Sequence, residues 1–559
     1  MKTAAIVIGI LVAITVFGIY DRYRRLREMR KRLIAEFGGP QKSKMTQKRY
    51  ESLGAYRDSL FGRTYDIDDI TWNDLEMERV YKELNRTCSS VGEEYLFAAM
   101  FRPEFCEDEL NRREALIKLF SENENVRIET QLALAKMGKI SNVSLYRYLT
   151  SFDGVKEDSN LLHLLPVVGY IAATVLGFLG FTTACIAVAA VSVGFSIFSY
   201  YARKRSIEPY LKALMFVSRW VENIHQMSRE VKAGDTVLAL ELESLEEQSQ
   251  TFATFRRGAW LLASTDLTGG DPGQMLLDYI RMLTHIDLIK FNLMHKTLVN
   301  RIPEIRRMFE DTGRIDMTIA VASYRAYLGK GWCLPELVQE ETPLEFTDLC
   351  HPMIAEPVPN SLTEAGSLLL TGSNASGKST FLKTVAINAI LAQTVHTVVG
   401  KAYKGMYYRI FSSMALRDDL AAKESYYIVE IRSLKRILDA AEEEEPVLCF
   451  VDEVLRGTNT AERIAASSRI LRYLAEKGVH CFAATHDLEL TDILADCFSM
   501  YHFSETVTAE ELSFDYKLKE GKATSRNAIL LLRLFGYPEE ICDGALADAN
   551  RFLKEEDHA

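Results

Sequence analysis

Three kinds of hydrophobic patterning alternate along the chain, and each predicts a different element. Two runs are apolar on every side. Ala4 to Tyr20 is uncharged over 17 residues, and Leu161 to Ala202 contains no Asp, Glu, Lys or Arg over 42 residues. As one straight helix the second run would be about 63 Å long, roughly twice the hydrocarbon thickness of a bilayer. It therefore predicts a hairpin of two spans turning near Gly177-Phe178-Leu179-Gly180. The alternative is a buried hairpin in a soluble domain, although soluble core helices seldom lack polar residues on every face. Counting the N-terminal run as an anchor, three spans are expected.

A second pattern places apolar residues three to four apart. It covers Met77 to Leu84, Glu93 to Met100 and Glu208 to Val231, and predicts mostly helical structure over 61–150 and 206–330. Within that region the acid-rich stretch Glu241 to Glu247 reads as a solvated helix face, and Asp266 to Gly273 as a loop. The third pattern is the short, continuous apolar run that a strand buried on both faces requires. Ser367-Leu368-Leu369-Leu370, Pro446 to Val451 and Val479 to Ala484 have it. The first is followed by an amphipathic stretch from Phe381 to Gln393.

Charge refines the topology. Arg22, Arg24, Arg25, Arg27, Arg30, Lys31 and Arg32 follow the first apolar run, and Arg203-Lys204-Arg205 follows the second. Positive residues remain on the cytoplasmic side, so the N-terminus is expected outside the cell membrane and the C-terminal half inside. A cleaved signal peptide would carry its basic residues ahead of the apolar run. The basic stretch 22–32 also suits anionic lipid head groups. His163 and Pro166 read as an interfacial and a helix-start residue without function. The 559-residue chain has nine scattered cysteines and a net charge of −11. The cysteines point to a reducing compartment without structural zinc, and the charge lends no support to nucleic-acid binding.

The candidate chemistry sits at the ends of the three strand-like runs. Gly372-Ser373-Asn374-Ala375-Ser376-Gly377-Lys378-Ser379 is a complete G-x-x-x-x-G-K-S sequence between a strand and a helix. Its glycines turn backbone N–H groups toward a polyphosphate, its lysine reaches the terminal phosphates and its serine hydroxyl holds Mg²⁺. The second run ends in Asp452-Glu453, an acid for the metal shell and a carboxylate to activate water. The third ends in Thr485-His486-Asp487, whose histidine would contact the γ-phosphate.

These motifs, in this order, resemble the ATPase domain of the MutS family. The likeness begins at His351-Pro352 and continues through Val358-Pro359-Asn360, the phosphate loop, Asp418-Asp419-Leu420 and Ser425 to Glu430. It then takes in Asp452-Glu453, Arg456 to Thr460 and Ala484-Thr485-His486. Tyr516-Lys517-Leu518, Gly521 and Gly536-Tyr537-Pro538 are similar to the family's closing hairpin and helix. Upstream, Leu84 to Thr87, Ser90-Val91-Gly92, Arg113 to Leu116, Arg314-Ile315-Asp316 through Ala322-Ser323, and Cys333-Leu334-Pro335 resemble its helical core. The resemblance implies a C-terminal α/β P-loop NTPase domain of the ABC type. An all-α core and lever-like region, interrupted by the transmembrane hairpin, would precede it. The expected boundaries are an anchor at 1–20, a basic juxtamembrane segment at 21–60, core at 61–160, hairpin at 161–202, core and levers at 203–345, and ATPase at 346–559.

By the same resemblance ATP and Mg²⁺ are the cofactors. Gly372 to Ser379, with Thr380 next to them, cradle the phosphates. Lys378 reaches the β/γ oxygens, Ser379 and Asp452 hold the metal, Glu453 activates water and His486 senses the γ-phosphate. Ser425 would reach across a homodimer to the partner's nucleotide. Two positions depart from the family: Lys423 replaces a glycine two residues before Ser425, and Pro357 replaces the aromatic that stacks on adenine. The family's Phe-x-Glu mismatch wedge is not found ahead of the helical core, where a membrane anchor is expected instead. The resemblance favours a membrane-tethered clamp on double-stranded DNA without specific mismatch recognition. Composition favours an ATP-driven switch acting on protein or membrane partners. An ABC transporter half would share the motif order, but an LSGGQ-like signature is absent and three spans are few for a translocation path.

Overall fold

The computed structural model describes the chain apart from residues 1, 42–44, 61, 63–64, 141, 155–158, 235, 257–271, 374–375, 415–425, 456–458, 508–511, 524–528, 530–531, 534 and 557–559. It divides into two units. The first comprises Met1–Phe61, Leu84–Ala98 and Arg112–Tyr327, and the second comprises Gly62–Glu83, Ala99–Asn111 and Leu328–Ala559.

The described part of the first unit is helical. Its organising elements are α1 (Lys2–Glu36), α2 (Asn160–Phe178), α3 (Thr182–Glu230) and α4 (Ile302–Leu328). The uncharged run folds as a helical hairpin, α2 against α3. Its turn runs through Leu179 and Gly180, and Gly180 takes the left-handed φ of +85° that a side chain resists. The two helices approach closely: a Cβ on Gly169 would lie 2.0 Å from Ser192 Oγ. Most of the hairpin's apolar surface faces outward, with Phe178 90% and Phe198 77% exposed.

α3 does not stop where its charges begin. Beyond Arg203-Lys204-Arg205 it continues without a break, and Leu214, Phe216, Val217, Trp220, Val221 and Ile224 are fully buried in the helical unit. Burying each such side chain stabilises the unit by about 1.5–3 kcal/mol. The Trp220 indole N–H donates to Thr312 Oγ1 of α4 at 3.0 Å. Near the middle of α4, Asp316 accepts bonds from Cys88 N at 2.8 Å, Ser89 N at 2.8 Å and Ser89 Oγ at 2.6 Å. Gly92 leaves room for that carboxylate, because a Cβ there would lie 2.4 Å from Asp316 Cγ. The motif residues around 90 and 316 therefore meet in one contact.

Four sequence expectations need correction in these terms. Two helices, not three, are long and apolar enough among the described residues to cross a membrane: Asn160–Phe178 and the Thr182–Glu208 part of α3. The run from Ala4 to Tyr20 forms the first half of α1. It passes directly into the basic half of α1, where Arg30 pairs with Glu129 at 2.6 Å. Three of its seven basic residues also pair within the helix, Arg24 with Glu28, Arg25 with Asp21 and Arg32 with Glu36. Glu241 is not on a solvated face; it is buried, bonded to Arg314 at 2.9 and 3.0 Å and to Arg112 at 2.6 Å. His163 is likewise buried, its Nδ1 3.2 Å from that of His285. The stretch 266–271 lies outside the described residues, and Pro272 and Gly273 open a helix.

The second unit carries the sheets. Its strands are β1 (Glu336–Val338), β2 (Leu344–Leu349), β3 (Asn360–Glu364), β4 (Ser367–Thr371), β5 (Ala402–Met406), β6 (Arg409–Ser413), β7 (Val447–Asp452), β8 (His480–Ala484), β9 (Phe498–His502), β10 (Glu505–Val507), β11 (Leu512–Phe514) and β12 (Lys519–Glu520). A four-stranded sheet has the order β1-β5-β2-β3, and β10 pairs with β11. The main sheet is six-stranded, β12-β9-β4-β8-β7-β6, parallel except for the β12 edge. β4, β7 and β8, the three apolar runs, are buried at every position. Three helices flank the site strands: α5 (Lys378–Val395) after β4, α6 (Tyr426–Ala440) between β6 and β7, and α7 (Thr460–Glu476) after β7. α5 read as amphipathic but is buried on nearly all sides, packed against β6, β7 and β8 of the sheet.

Candidate nucleotide site

β4, β7 and β8 lie side by side and parallel, so their C-terminal ends open on one edge of the sheet. In open α/β sheets this is where ligands bind. β4 delivers the 372–379 loop there, β7 delivers Asp452 and Glu453, and β8 delivers Thr485 and His486.

The loop is shaped by two glycines. Gly372 has φ +138°, and a Cβ on it would lie 2.7 Å from Phe503 O and 2.9 Å from Ser376 Oγ. Gly377, at φ +105°, precedes the first turn of α5, and among the described residues no side chain caps that helix. Ser376 folds the loop on itself, donating from Oγ to Ser373 O at 2.7 Å. Lys378 is buried, and its Nζ donates to Gly372 O at 2.6 Å and Ser373 O at 2.9 Å. The ammonium thus spans the loop's mouth. Thr380 is exposed in the same turn. Asn374 and Ala375 lie outside the described residues.

The second strand end meets the first. Ser379 Oγ donates to Asp452 Oδ2 at 2.5 Å, bringing two hard oxygen donors together as a Mg²⁺ shell requires. Glu453 N–H donates to Ala484 O at 2.9 Å, and His486 Nε2 lies 2.7 Å from Glu453 Oε1. His486 therefore touches the candidate base directly, a contact the sequence did not signal. Its loop is fixed from outside by Arg463, whose guanidinium donates to both oxygens of Asp487 at 2.9 and 2.6 Å.

Tyr516 is a second residue whose place was hidden. Its ring lies beside the loop, Cδ1 being 3.1 Å from where a Cβ on Gly377 would stand. It is 43% exposed and stacked on Phe514. Asn360 secures this segment from both sides, donating to Tyr516 O at 3.0 Å and accepting from Leu518 N at 2.8 Å. The motif 516–518 was visible in the sequence, but its proximity to residue 377 is purely tertiary. Pro357 lies in the irregular segment before β3. Ser425, Lys423, Asp418-Asp419-Leu420 and Arg456-Gly457-Thr458 lie outside the described residues.

Electrostatics around α5 are set by two neighbours. Glu76 bonds Lys383 at 2.9 Å, and this lysine is the chief reason its carboxyl is held down at about 2. Burial pushes the His351 imidazole down to about 4, with the Lys383 charge adding to the effect. His351 is thus neutral at physiological pH, and its Nδ1 accepts from Met353 N at 3.2 Å.

Residues 368–553 match the family model described as MutS domain V. That stretch contains the loop, the acidic pair and the histidine whose convergence has just been described. This stretch is similar to MutS domain V, and the matches support membership of the MutS family. Relatives in the family are curated as DNA mismatch repair protein MutS. That of Leptospira interrogans serovar Lai is 30% identical over 283 residues, covering 48% of this chain and 32% of the relative. That of Aquifex pyrophilus is 35% identical over 239 residues, covering 41% and 27%, and that of Natronomonas pharaonis is 34% identical over 206 residues, covering 35% and 24%. The chain thus spans about a third or less of the length of these MutS proteins. The family-model match lies in the sheet-bearing C-terminal part.

Proposed function

We propose that this MutS-family chain is a P-loop ATPase whose C-terminal domain binds Mg·ATP and hydrolyses it. The observation that carries the reading is the convergence of Ser379 on Asp452 and of His486 on Glu453 at the mouth of a loop spanned by Lys378. Backbone N–H groups of 372–379 and the N-terminal end of α5 hold the phosphates, with Lys378 on the β/γ oxygens. Tyr516, beside Gly377, offers an aromatic face for the base, which Pro357 cannot. Ser379 and Asp452 suit Mg²⁺, which supplies charge neutralisation at the transferred phosphate. Glu453 accepts a proton from a water as its oxygen bonds to the γ-phosphorus, and the bond from that phosphorus to the bridging oxygen breaks. His486 holds the Glu453 carboxylate and faces the γ-phosphate side. Two chains pair through these domains, with Ser425 or Lys423 approaching the partner's nucleotide.

The hairpin of α2 and α3 inserts in a membrane. Support comes from its exposed apolar surface, with only 17% and 11% of the two spans' apolar windows buried, and from Arg203-Lys204-Arg205 beyond it. A hairpin returns the chain to one side, the basic and cytoplasmic one, where ATP is available. The unbroken α3 joins the spans to the helical core, so the ATP-driven switch works against a membrane-held lever. To this switch we assign duplex DNA binding, in line with the relatives' name as DNA mismatch repair proteins, but not specific mismatch recognition.

The DNA step is tested by measuring the ATPase rate of the full chain with and without duplex DNA as salt is raised. Several-fold stimulation that fades between 50 and 200 mM salt is expected, because phosphate contacts release counterions. An unchanged rate, with no retention on DNA, contradicts DNA binding and favours a switch acting on protein or membrane partners. The −11 charge of the chain supports that second reading.

A further inference from the structure

The turn that presents Glu453 is held in an unfavourable backbone shape. Glu453 has φ +60° and Leu455 has φ +59°, both in the left-handed region. A residue with a side chain resists that region, so the shape persists only where neighbours impose it. Three contacts do so. Glu453 N–H is bonded to Ala484 O of β8, Ser467 Oγ of α7 donates to Val454 O at 3.2 Å, and Leu455 N–H donates to Glu430 Oε1 at 2.5 Å. The last contact differs in kind. It takes a carboxylate from the first half of α6, almost wholly buried at 2% exposure, and spends one of its oxygens on a backbone amide.

A carboxylate placed in such surroundings is expensive unless its bonds are required. The amide it binds belongs to the second left-handed residue, two positions after the candidate base. Losing that acceptor would free the turn to relax toward an ordinary conformation, and Glu453 would swing with it. The Ser379–Asp452 pair and the loop would stay, because they depend on β4, β7 and α5.

We infer that Glu430 is a positioning residue for hydrolysis: it fixes the left-handed turn at 453–455 and so aims the Glu453 carboxylate. It touches neither nucleotide nor metal. α6 begins at Tyr426, directly after the segment that holds Lys423 and Ser425. Displacement of that helix by a partner chain would therefore reach the base through one hydrogen bond. The inference rests on the ATPase reading above.

The test compares Glu430→Met, of similar volume but without an acceptor, with Glu430→Gln, whose amide oxygen still accepts from Leu455 N. Both are made in the full chain. Glu430→Met should lower kcat at least tenfold while KM for ATP and retention of a non-hydrolysable analogue change less than twofold. Glu430→Gln should keep kcat within about threefold of the unsubstituted chain. If the methionine variant does not fold, Glu430→Ser provides the same comparison, with the same loss expected. Equal kcat in Glu430→Met and the parent chain, or parallel loss of kcat and nucleotide retention, overturns the assignment while leaving the ATPase reading intact. Absence of any turnover in the parent chain overturns both.

Discussion

Glu453→Gln should retain Mg·ATP and lose turnover by at least about 10²-fold, the contribution expected of a positioned general base. Glutamine keeps the size of the side chain and a partner for His486 Nε2, which now lies 2.7 Å from Oε1. It cannot accept the water's proton. The backbone N–H of residue 453 stays on Ala484 O, so the turn retains that anchor, and the loop's contacts with Lys378 are untouched. An ATP-bound dimer should therefore accumulate, seen as a nucleotide-dependent rise in the dimer fraction by light scattering. Single-turnover kinetics separates the slowed chemical step from product release. Normal hydrolysis in this variant would mean that another group deprotonates the water.

The second large effect concerns the hairpin. Ile171 and Val175 lie one helical turn apart on α2 and are 60% and 49% exposed. In water, replacing both with aspartate would harm nothing, because neither side chain packs into a core. In a bilayer each charge near the middle of a span costs about 2.5–3.5 kcal/mol. The parent chain should resist alkaline carbonate extraction from membranes, and the Ile171→Asp, Val175→Asp chain should be released. Equal retention of both, or release of the parent, would contradict insertion. The experiment separates a membrane hairpin from a protein-covered one, since the exposed face is the only surface altered.

Residues close in sequence were the legible ones. The strand, loop and helix at 367–395 announced themselves through one apolar run, two glycines and a lysine-serine pair, and the apolar runs ending in Asp452 and Ala484 became the neighbouring strands. The likeness to MutS was readable for the same reason, as ordered short motifs. What stayed hidden was pairing at long range. Glu241 sits in an acidic run typical of a wet helix face, and its pairing with Arg314 of α4 and with Arg112 explains its burial. The arginines of 22–32 resemble a topology signal, yet several are spent on intrahelical carboxylates and on Glu129. Tyr516 and Glu430 carry no local mark of their positions beside Gly377 and Leu455, because those contacts exist only once the sheet has formed. Periodicity misjudged α5 because a helix lodged against the sheet can bury Thr384, Asn388 and Thr394 by bonding them to backbone carbonyls.

Equilibrium binding of Mg·ATP to the purified full chain addresses the central claim most directly, with Lys378→Ala as its partner measurement. The account predicts saturable, magnesium-dependent retention of one nucleotide per chain, lost or weakened at least tenfold when the Lys378 ammonium is removed. A folded chain that retains no nucleotide, or a Lys378→Ala chain that binds as well as its parent, would contradict it.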